Sequence, residues 1–252
     1  RAAIGFLQRQ LETLGFIVNV EGFSAHGQPV IVARHGSKGQ DTLVLYNHYD
    51  VEPIKPDEHW NSSPFELTER EGRLFARGIA DNKAVLLARI SVMKQRLAAG
   101  KALPEILWLI QGEEEVGGKL AFEVFPNQLE NIKASVFVEE TGYHRAGVPL
   151  LFHQYDDSVQ TSASQVFATS LNEALFDGDA VIENRTLSKF GQCPFVSIIP
   201  AGAHYVGFGP NDYQARIHQD NESMDAELLT GYFDTFGRFL DWYELHSKQG
   251  VA

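Results

Sequence analysis

The sequence predicts an α/β fold, a three-layer arrangement in which a mostly parallel twisted sheet carries helices on both faces. Three observations carry this expectation. The run Ile106–Ile110 is wholly apolar, as strands covered on both faces are, and Ala134–Val138 reads as another buried-type strand. Stretches with apolar residues at three- and four-residue spacing alternate with such runs, the pattern that builds parallel sheets through helical crossovers. The chain has 252 residues and is 44% hydrophobic, enough to bury a sizeable core.

Taken in order, Ala3–Gly15 places Ile4, Leu7, Leu11 and Leu14 on one side of a helix that ends at a glycine. Phe16–Val20 and Pro29–His35 read as short strands around a turn with Gly22 and Gly27, and Thr42–Tyr46 as a β-rich apolar strand. Ile54–Phe75, punctuated by Pro56 and Pro64, reads as loop. Lys83–Ala99 is expected to be a helix with Ala84, Leu87, Ala88, Ser91 and Leu97 on one side, stopped by Gly100. After the strand at Ile106–Ile110 come a helix over Lys119–Phe125 and the strand Ala134–Val138. Tyr143–Thr186 is the least readable stretch, with polar His153–Ser164 and a weakly helical Gln165–Phe176. Phe195–Pro200 is expected to be a strand and Met224–His246 a long closing helix. No second domain, internal repeat or low-complexity tract is evident, so residues 1–252 are read as one domain.

Asp and Glu number 33 against 21 Lys and Arg, a formal charge of −12, which argues against nucleic acid as a partner. No apolar run reaches the ~18 residues of a membrane span, and the start lacks the pattern of a signal peptide. The single cysteine, Cys193, cannot make an internal disulfide, so a reducing, cytoplasmic setting is expected. Part of the acidic excess reads as solubility. The rest reads as carboxylates gathered around cations, where a metal neutralises what would otherwise repel.

Ligands in open α/β sheets bind beyond the carboxyl ends of the strands. Here Leu43–Tyr46 runs into Asn47, His48, Tyr49 and Asp50. Leu107–Ile110 runs into Glu113, Glu114 and Glu115, and Val136–Val138 into Glu139 and Glu140. Asp81 stands just before the helix at Lys83 and reads either as its N-cap or as a further ligand. His218, among Gln219, Asp220 and Glu222, reads either as a hydrogen-bonded surface residue or as a ligand. Two histidines with several carboxylates suit Zn²⁺, with Mn²⁺ or Co²⁺ as alternatives, rather than Ca²⁺. The surplus of carboxylates makes a pair of divalent ions about 3.5 Å apart plausible.

Four motifs stand in order along the chain: Asn47-His48-Tyr49-Asp50-Val51-Glu52-Pro53, Arg77-Gly78-Ile79-Ala80-Asp81-Asn82-Lys83, Gly112-Glu113-Glu114-Glu115-Val116-Gly117-Gly118, and His218 with Asn221-Glu222. With them the chain resembles the co-catalytic zinc metallopeptidases that include carnosinase-like dipeptidases, aminoacylase, succinyl-diaminopimelate desuccinylase and acetylornithine deacetylase. The resemblance implies a zinc exopeptidase-like fold and hydrolysis of amide bonds in small peptides through a metal-activated water. It implies His48 on a first metal with Asp50 orienting its ring, Asp81 bridging two metals, and Glu115 and His218 on the second. Glu139 is expected to complete the first metal, with Glu140 as the alternative. Glu114 is expected to be the general base, with Glu113 as the alternative register. A cis peptide bond next to Asp81 is common in this family.

The His48-Tyr49-Asp50 spelling is closer to the dipeptidase branch than to the deacetylase branch, which leaves N-acyl amino acid deacylation as the enzymatic rival. Substrate contacts are weaker expectations: Gly191 in Phe190–Pro194, where that branch carries a carboxylate-binding loop, Arg185, and Gly207 in a glycine-rich turn. The family ordinarily inserts a lid and dimerisation domain just after the Glu139 motif. The stretch from Thr141 to Arg185 is too short for it, so the lid expected after about residue 147 is missing and oligomerisation through it is not expected. A metal-binding module with little turnover is therefore the non-enzymatic rival. His144, His153 and His204 are read as structural residues or as stand-ins for the lid's transition-state donor.

Overall fold

The computed structural model describes residues 1–22, 27–36, 41–130, 132–155, 161–186, 199–200 and 202–249. Helix α1 (Ala2–Thr13) leads into the hairpin of β1 (Ile17–Glu21) and β2 (Val30–His35), and β3 (Asp41–His48) follows. The segment expected to be loop holds a second hairpin, β4 (Thr68–Arg70) and β5 (Arg73–Phe75). A π-turn at Ile79–Lys83 opens α2 (Ala84–Ala98), followed by β6 (Ile106–Gln111), α3 (Leu120–Leu129) and β7 (Lys133–Val138). Then come β8 (His144–Arg145), β9 (Val148–Tyr155), α4 (Thr161–Phe176), β10 (Val181–Thr186), β11 (His204–Gly207), β12 (Ser223–Asp225) and α5 (Ala226–Gln249).

The main sheet runs β1-β2-β6-β3-β7-β11-β9-β10. Its centre is parallel, β3 pairing with β6 and β7, and β7 with β11; β9 and β10 also pair in parallel. Antiparallel partners join at both sides, β2 on β6 and β9 on β11. Because side chains alternate along a strand, each central strand feeds two cores. Leu43, Leu45, Ile106, Trp108, Ile110, Val136 and Val138 pack against α1, α2, α4 and α5. Val44, Tyr46, Leu107, Leu109 and Phe137 pack against Ala121, Val124 and Phe125 of α3. That is the expected three-layer, mostly parallel sheet.

Local readings differ in instructive places. On α2 the buried face is Val85, Leu86, Ala88, Arg89, Ile90, Val92 and Met93, while Leu87 and Leu97 of the expected face are exposed. The helix lies between the sheet and α5 and is therefore covered on more than one side. The closing helix starts at Ala226, because Ser223–Asp225 pairs with β5 and Asp225 Oδ1 accepts the N–H groups of Glu227 and Leu228. The unreadable stretch after Tyr143 becomes β8, β9, α4 and β10, which widen the main sheet. Most of the expected strand Phe195–Pro200 lies outside the described residues, and Ile199 and Pro200 are not in a strand. No helix among the described residues is long and apolar enough to cross a membrane.

Candidate metal centre

Parallel strand ends and two loops build one acidic cleft. His48 is the last residue of β3 and is fully buried. Asp50 Oδ1 lies 3.2 Å from His48 Nδ1, and its two oxygens accept the backbone N–H groups of Glu114 at 3.2 Å and Glu115 at 3.1 Å. One carboxylate thus orients the imidazole and fixes the loop after β6. In the tautomer that donates Nδ1–H to Asp50, His48 Nε2 offers a lone pair. That atom faces Asp81 Oδ1 at 2.9 Å and Glu140 Oε2 at 3.6 Å. Three acceptors meeting there need a proton or a cation between them. Burial opposes charge on His48, yet Glu140, Asp50 and Asp81 together hold its pKa well above the usual imidazole value.

Asp81 is presented by the π-turn, and its bond to Asn82 is cis. Gly78 enters the turn at φ +77°, and a Cβ there would come within 2.1 Å of Val51 Cγ1. Buried Glu222 holds the turn from inside: Oε2 accepts the N–H of Gly78 at 2.9 Å, and Oε1 those of Ala80 at 3.0 Å and Asp81 at 3.2 Å. Arg77 donates to the same Glu222 at 3.1 Å. Asp81 Oδ2 then lies 3.3 Å from His218 Nε2, which is 2.7 Å from Glu115 Oε2. The hydrogen bond that His218 donates to Asp81, with Glu115 beside it, raises the His218 pKa to about 9. Burial works against ionisation of Asp81, but the two histidines hold its carboxyl well below the usual range.

The three consecutive glutamates separate by side-chain direction. Glu113 turns away, its Oε1 accepting the N–H of Gln28 at 2.9 Å. Glu115 reaches His218 and is almost fully buried; burial first, then Asp81, raises its pKa to about 7. Glu114 makes no side-chain hydrogen bond among the described residues, and burial raises its pKa. His48, Asp81 and Glu115 can each offer one ligand atom, all within 4.8 Å of one another.

At the end of β7 the structure turns Glu140, not Glu139, towards His48. Neighbouring residues in extended chain point to opposite sides. Glu140 faces His48 and accepts a hydrogen bond from Asn82 Nδ2 at 3.0 Å. Glu139 accepts the Tyr205 hydroxyl instead and makes no ion pair with His48 among the described residues. The donor set that converges is therefore His48, Asp81, Glu115, Glu140 and His218. Two imidazoles with three carboxylates, one of them lying between both imidazoles, fit borderline divalent cations such as Zn²⁺.

The sequence profile of peptidase family M20/M25/M40 matches residues 44–241, which is most of the chain and includes every one of those donors. The chain belongs to this family. It is 33% identical over 118 residues to a mouse Beta-Ala-His dipeptidase, covering 46% of this chain and 24% of that protein. It is 39% identical over 106 residues to a succinyl-diaminopimelate desuccinylase of Janthinobacterium sp., covering 42% and 28% respectively. The chain thus spans about a quarter of the length of these curated relatives. Among solved structures, the dipeptidase Dug1p from Saccharomyces cerevisiae superposes with a TM-score of 0.76 at 12% identity, covering 96% of this chain and 90% of that one, a likeness of fold. Human carnosine dipeptidase 1 matches with a TM-score of 0.51 at 27% identity over 60% of this chain and 34% of that one.

In this M20 chain a Cβ on Gly207 would come within 3.2 Å of Glu139 Cβ, so its small size makes room for Glu139. Arg185 lies opposite Gln154 on β10, the edge strand of the sheet. Gly191 and Cys193 lie outside the described residues. His153 and His204 are buried and bonded to each other at 2.9 Å, away from the donors. Residues the motifs left without a role hold the site from beneath. Asn47 Nδ2 donates to Asn82 Oδ1 at 2.9 Å, tying the end of β3 to the Asp81 turn. Arg89 donates from α2 to Tyr46 O at 2.9 Å, Asn47 Oδ1 at 2.8 Å, and Glu139 O. The signal for it was one cation amid the apolar spacing of a helix.

Proposed function

We propose that this chain is the catalytic unit of a metal-dependent hydrolase that cleaves the amide bond of small peptides. The observation that carries the reading is Asp81, whose two oxygens face the Nε2 atoms of His48 and His218. His48, Asp81 and Glu140 would hold one divalent ion, and Asp81, Glu115 and His218 a second. Zn²⁺ is the proposed metal, with Mn²⁺ or Co²⁺ as alternatives. Bound there, such ions supply Lewis acidity, which polarises a carbonyl and makes water more acidic.

The chain's own groups supply orientation and proton transfer. Asp50 fixes the ring and tautomer of His48. Glu114, half-buried and without a fixed partner, takes a proton from the attacking water and returns it to the leaving amine. Its raised pKa suits a group that must both accept and donate near neutrality. Relatives named for dipeptide substrates support the peptide reading. Likeness to a desuccinylase supports N-acyl amino acid deacylation as the second reading. A cytoplasmic setting is part of the proposal and rests on the lone cysteine.

Metal analysis of the purified protein, followed by hydrolysis of dipeptide and N-acetyl amino acid panels with Zn²⁺, Mn²⁺ or Co²⁺, tests this. Two bound ions per chain with dipeptide turnover is the expected result. Turnover of N-acetyl substrates alone would favour the second reading. Two bound ions without any hydrolysis would leave a metal-binding module and end the enzyme proposal for this chain.

A further inference from the structure

His218 stands in a backbone conformation that side-chain-bearing residues rarely adopt. Its φ is +61°, and Arg216 and Asn221 on either side are at +52° and +56°. Such a loop persists only where surrounding contacts fix it. One contact is local, from Arg216 Nε to Asp220 O at 2.8 Å. Others come from the segment before β4. The His59 N–H donates to Asp220 Oδ2 at 3.1 Å, the Asn61 N–H to Asn221 Oδ1 at 3.0 Å, and Asn221 Nδ2 to His59 O at 2.9 Å. These secure the far end of the loop. The part next to His218 depends on a buried cation.

That cation is Arg77, whose side chain is fully buried. Its Nη1 donates to the carbonyl of Gln219, the residue after His218, at 3.0 Å, and to Glu222 Oε2 at 3.1 Å. Glu222 in turn accepts the N–H groups of Gly78, Ala80 and Asp81. One guanidinium therefore touches the loop that carries His218 and, through a single carboxylate, the turn that carries Asp81. Its Nη2 donates to both oxygens of Glu58 at 2.7 Å. Glu58 is itself fixed by Trp60 Nε1 at 2.8 Å and the Lys55 N–H at 3.2 Å, and the Trp60 ring lies 5.2 Å from the guanidinium. Two carboxylates match the buried charge, and the planar fork reaches acceptors on three segments at once, which a lysine cannot do.

We propose that Arg77, braced by Glu58, is the positioning residue that sets His218 against Asp81 at the second metal. It acts through Gln219 O and Glu222. The His48 and Glu140 side of the centre has separate support, Asp50 holding the ring and Asn82 the carboxylate. Weakening the brace therefore loosens the ion at His218 more than the ion at His48. The proposal rests on the two-ion reading of the centre.

The test is calorimetric titration of the metal-free full chain with Zn²⁺, comparing wild type, Glu58→Gln and Arg77→Lys. His218→Ala identifies which of the two ions belongs to His218. Glu58→Gln keeps the shape of residue 58 and removes only the charge facing Arg77. It should weaken the His218 ion by roughly tenfold, and Arg77→Lys by roughly tenfold to a hundredfold, the range for a group that orients a metal ligand. The other ion should change by less than about threefold in both variants. Unchanged affinities, or both ions weakened by the same factor, would overturn the positioning role. If Arg77→Lys does not fold, Glu58→Gln alone decides. If the wild type takes up fewer than two ions, the two-ion reading fails, and the brace is judged by amide hydrogen exchange in the metal-free protein. Exchange that quickens by roughly fivefold or more in Glu58→Gln at both 78–81 and 216–221, and nowhere else, supports the brace. Exchange unchanged there, or faster throughout the chain, overturns it.

Discussion

Arg89 donates a 2.8 Å hydrogen bond to the side-chain oxygen of Asn47 from the middle of the buried face of α2. The same guanidinium donates to Tyr46 O, Glu139 O and the Tyr232 hydroxyl, so one buried cation clasps the ends of β3 and β7. Those strands lead directly to His48 and Glu140. Arg89→Met keeps apolar bulk but leaves two carbonyls and an amide oxygen short of donors. It should lower stability by roughly 3–5 kcal/mol, as removal of a buried charged partner does. Urea unfolding of the metal-free protein measures this, and a loss below ~1 kcal/mol would mean the clasp is dispensable.

Glu139 and Glu140 are adjacent and chemically alike, yet only Glu140 faces His48. Glu140→Ala should reduce bound metal to about one ion per chain. Glu139→Ala should retain both ions, because its carboxylate is spent on the Tyr205 hydroxyl. Metal content after dialysis distinguishes the two, and the reverse pattern would restore Glu139 as the ligand.

That pair also marks where sequence reading stops. The strands Ile106–Ile110 and Ala134–Val138 were legible because burial on both faces demands apolar runs, here broken only by Ser135. The convergence of His48, Asp50, Asp81, Glu115 and His218 was legible because a metal site would need those residue types at strand ends and loop entries. The choice between Glu139 and Glu140 depends on which side of the chain faces the cleft, which neither residue type reveals. β9 was illegible for another reason: it buries His153 and Gln154, so its pattern looked polar while its position was interior. Arg89 was hidden likewise, a charge whose partners are mostly backbone carbonyls from distant strands.

Glu113, Glu114 and Glu115 predict three distinct phenotypes. Glu114→Gln should keep its metal and lose roughly 10²–10⁴ in turnover, the usual scale for a general base. Glu115→Gln should weaken metal binding first, since its carboxylate reaches His218 and stands beside Asp81. Glu113→Gln should stay near wild type in both respects, because its side chain serves the turn at Gln28. Metal loss in Glu114→Gln together with an inactive, metal-replete Glu113→Gln would shift the register by one.

The buried pair His153 and His204 gives the fold an acid-sensitive joint away from the metal centre. His153 Nε2 meets His204 Nδ1 at 2.9 Å, His153 Nδ1 meets Asn184 Oδ1 at 2.6 Å, and Phe167 stacks on the His204 ring at 3.7 Å. Burial lowers the His153 pKa to about 4 and, with His153 as neighbour, that of His204 to about 3. The unfolded chain binds these protons more readily than the folded one, so their neutral forms favour the native state near neutrality. That contribution is complete above the unfolded value of 6.5 and is lost as pH falls towards the folded values. Together the pair should cost roughly 2–4 kcal/mol of stability between pH 7 and pH 5. His204→Phe, which keeps a ring beside Phe167, removes one titrating member and should flatten that decline. Urea midpoints of wild type and variant, measured from pH 7 to pH 5, test the joint. Parallel curves for the two proteins would assign the acid sensitivity to other groups.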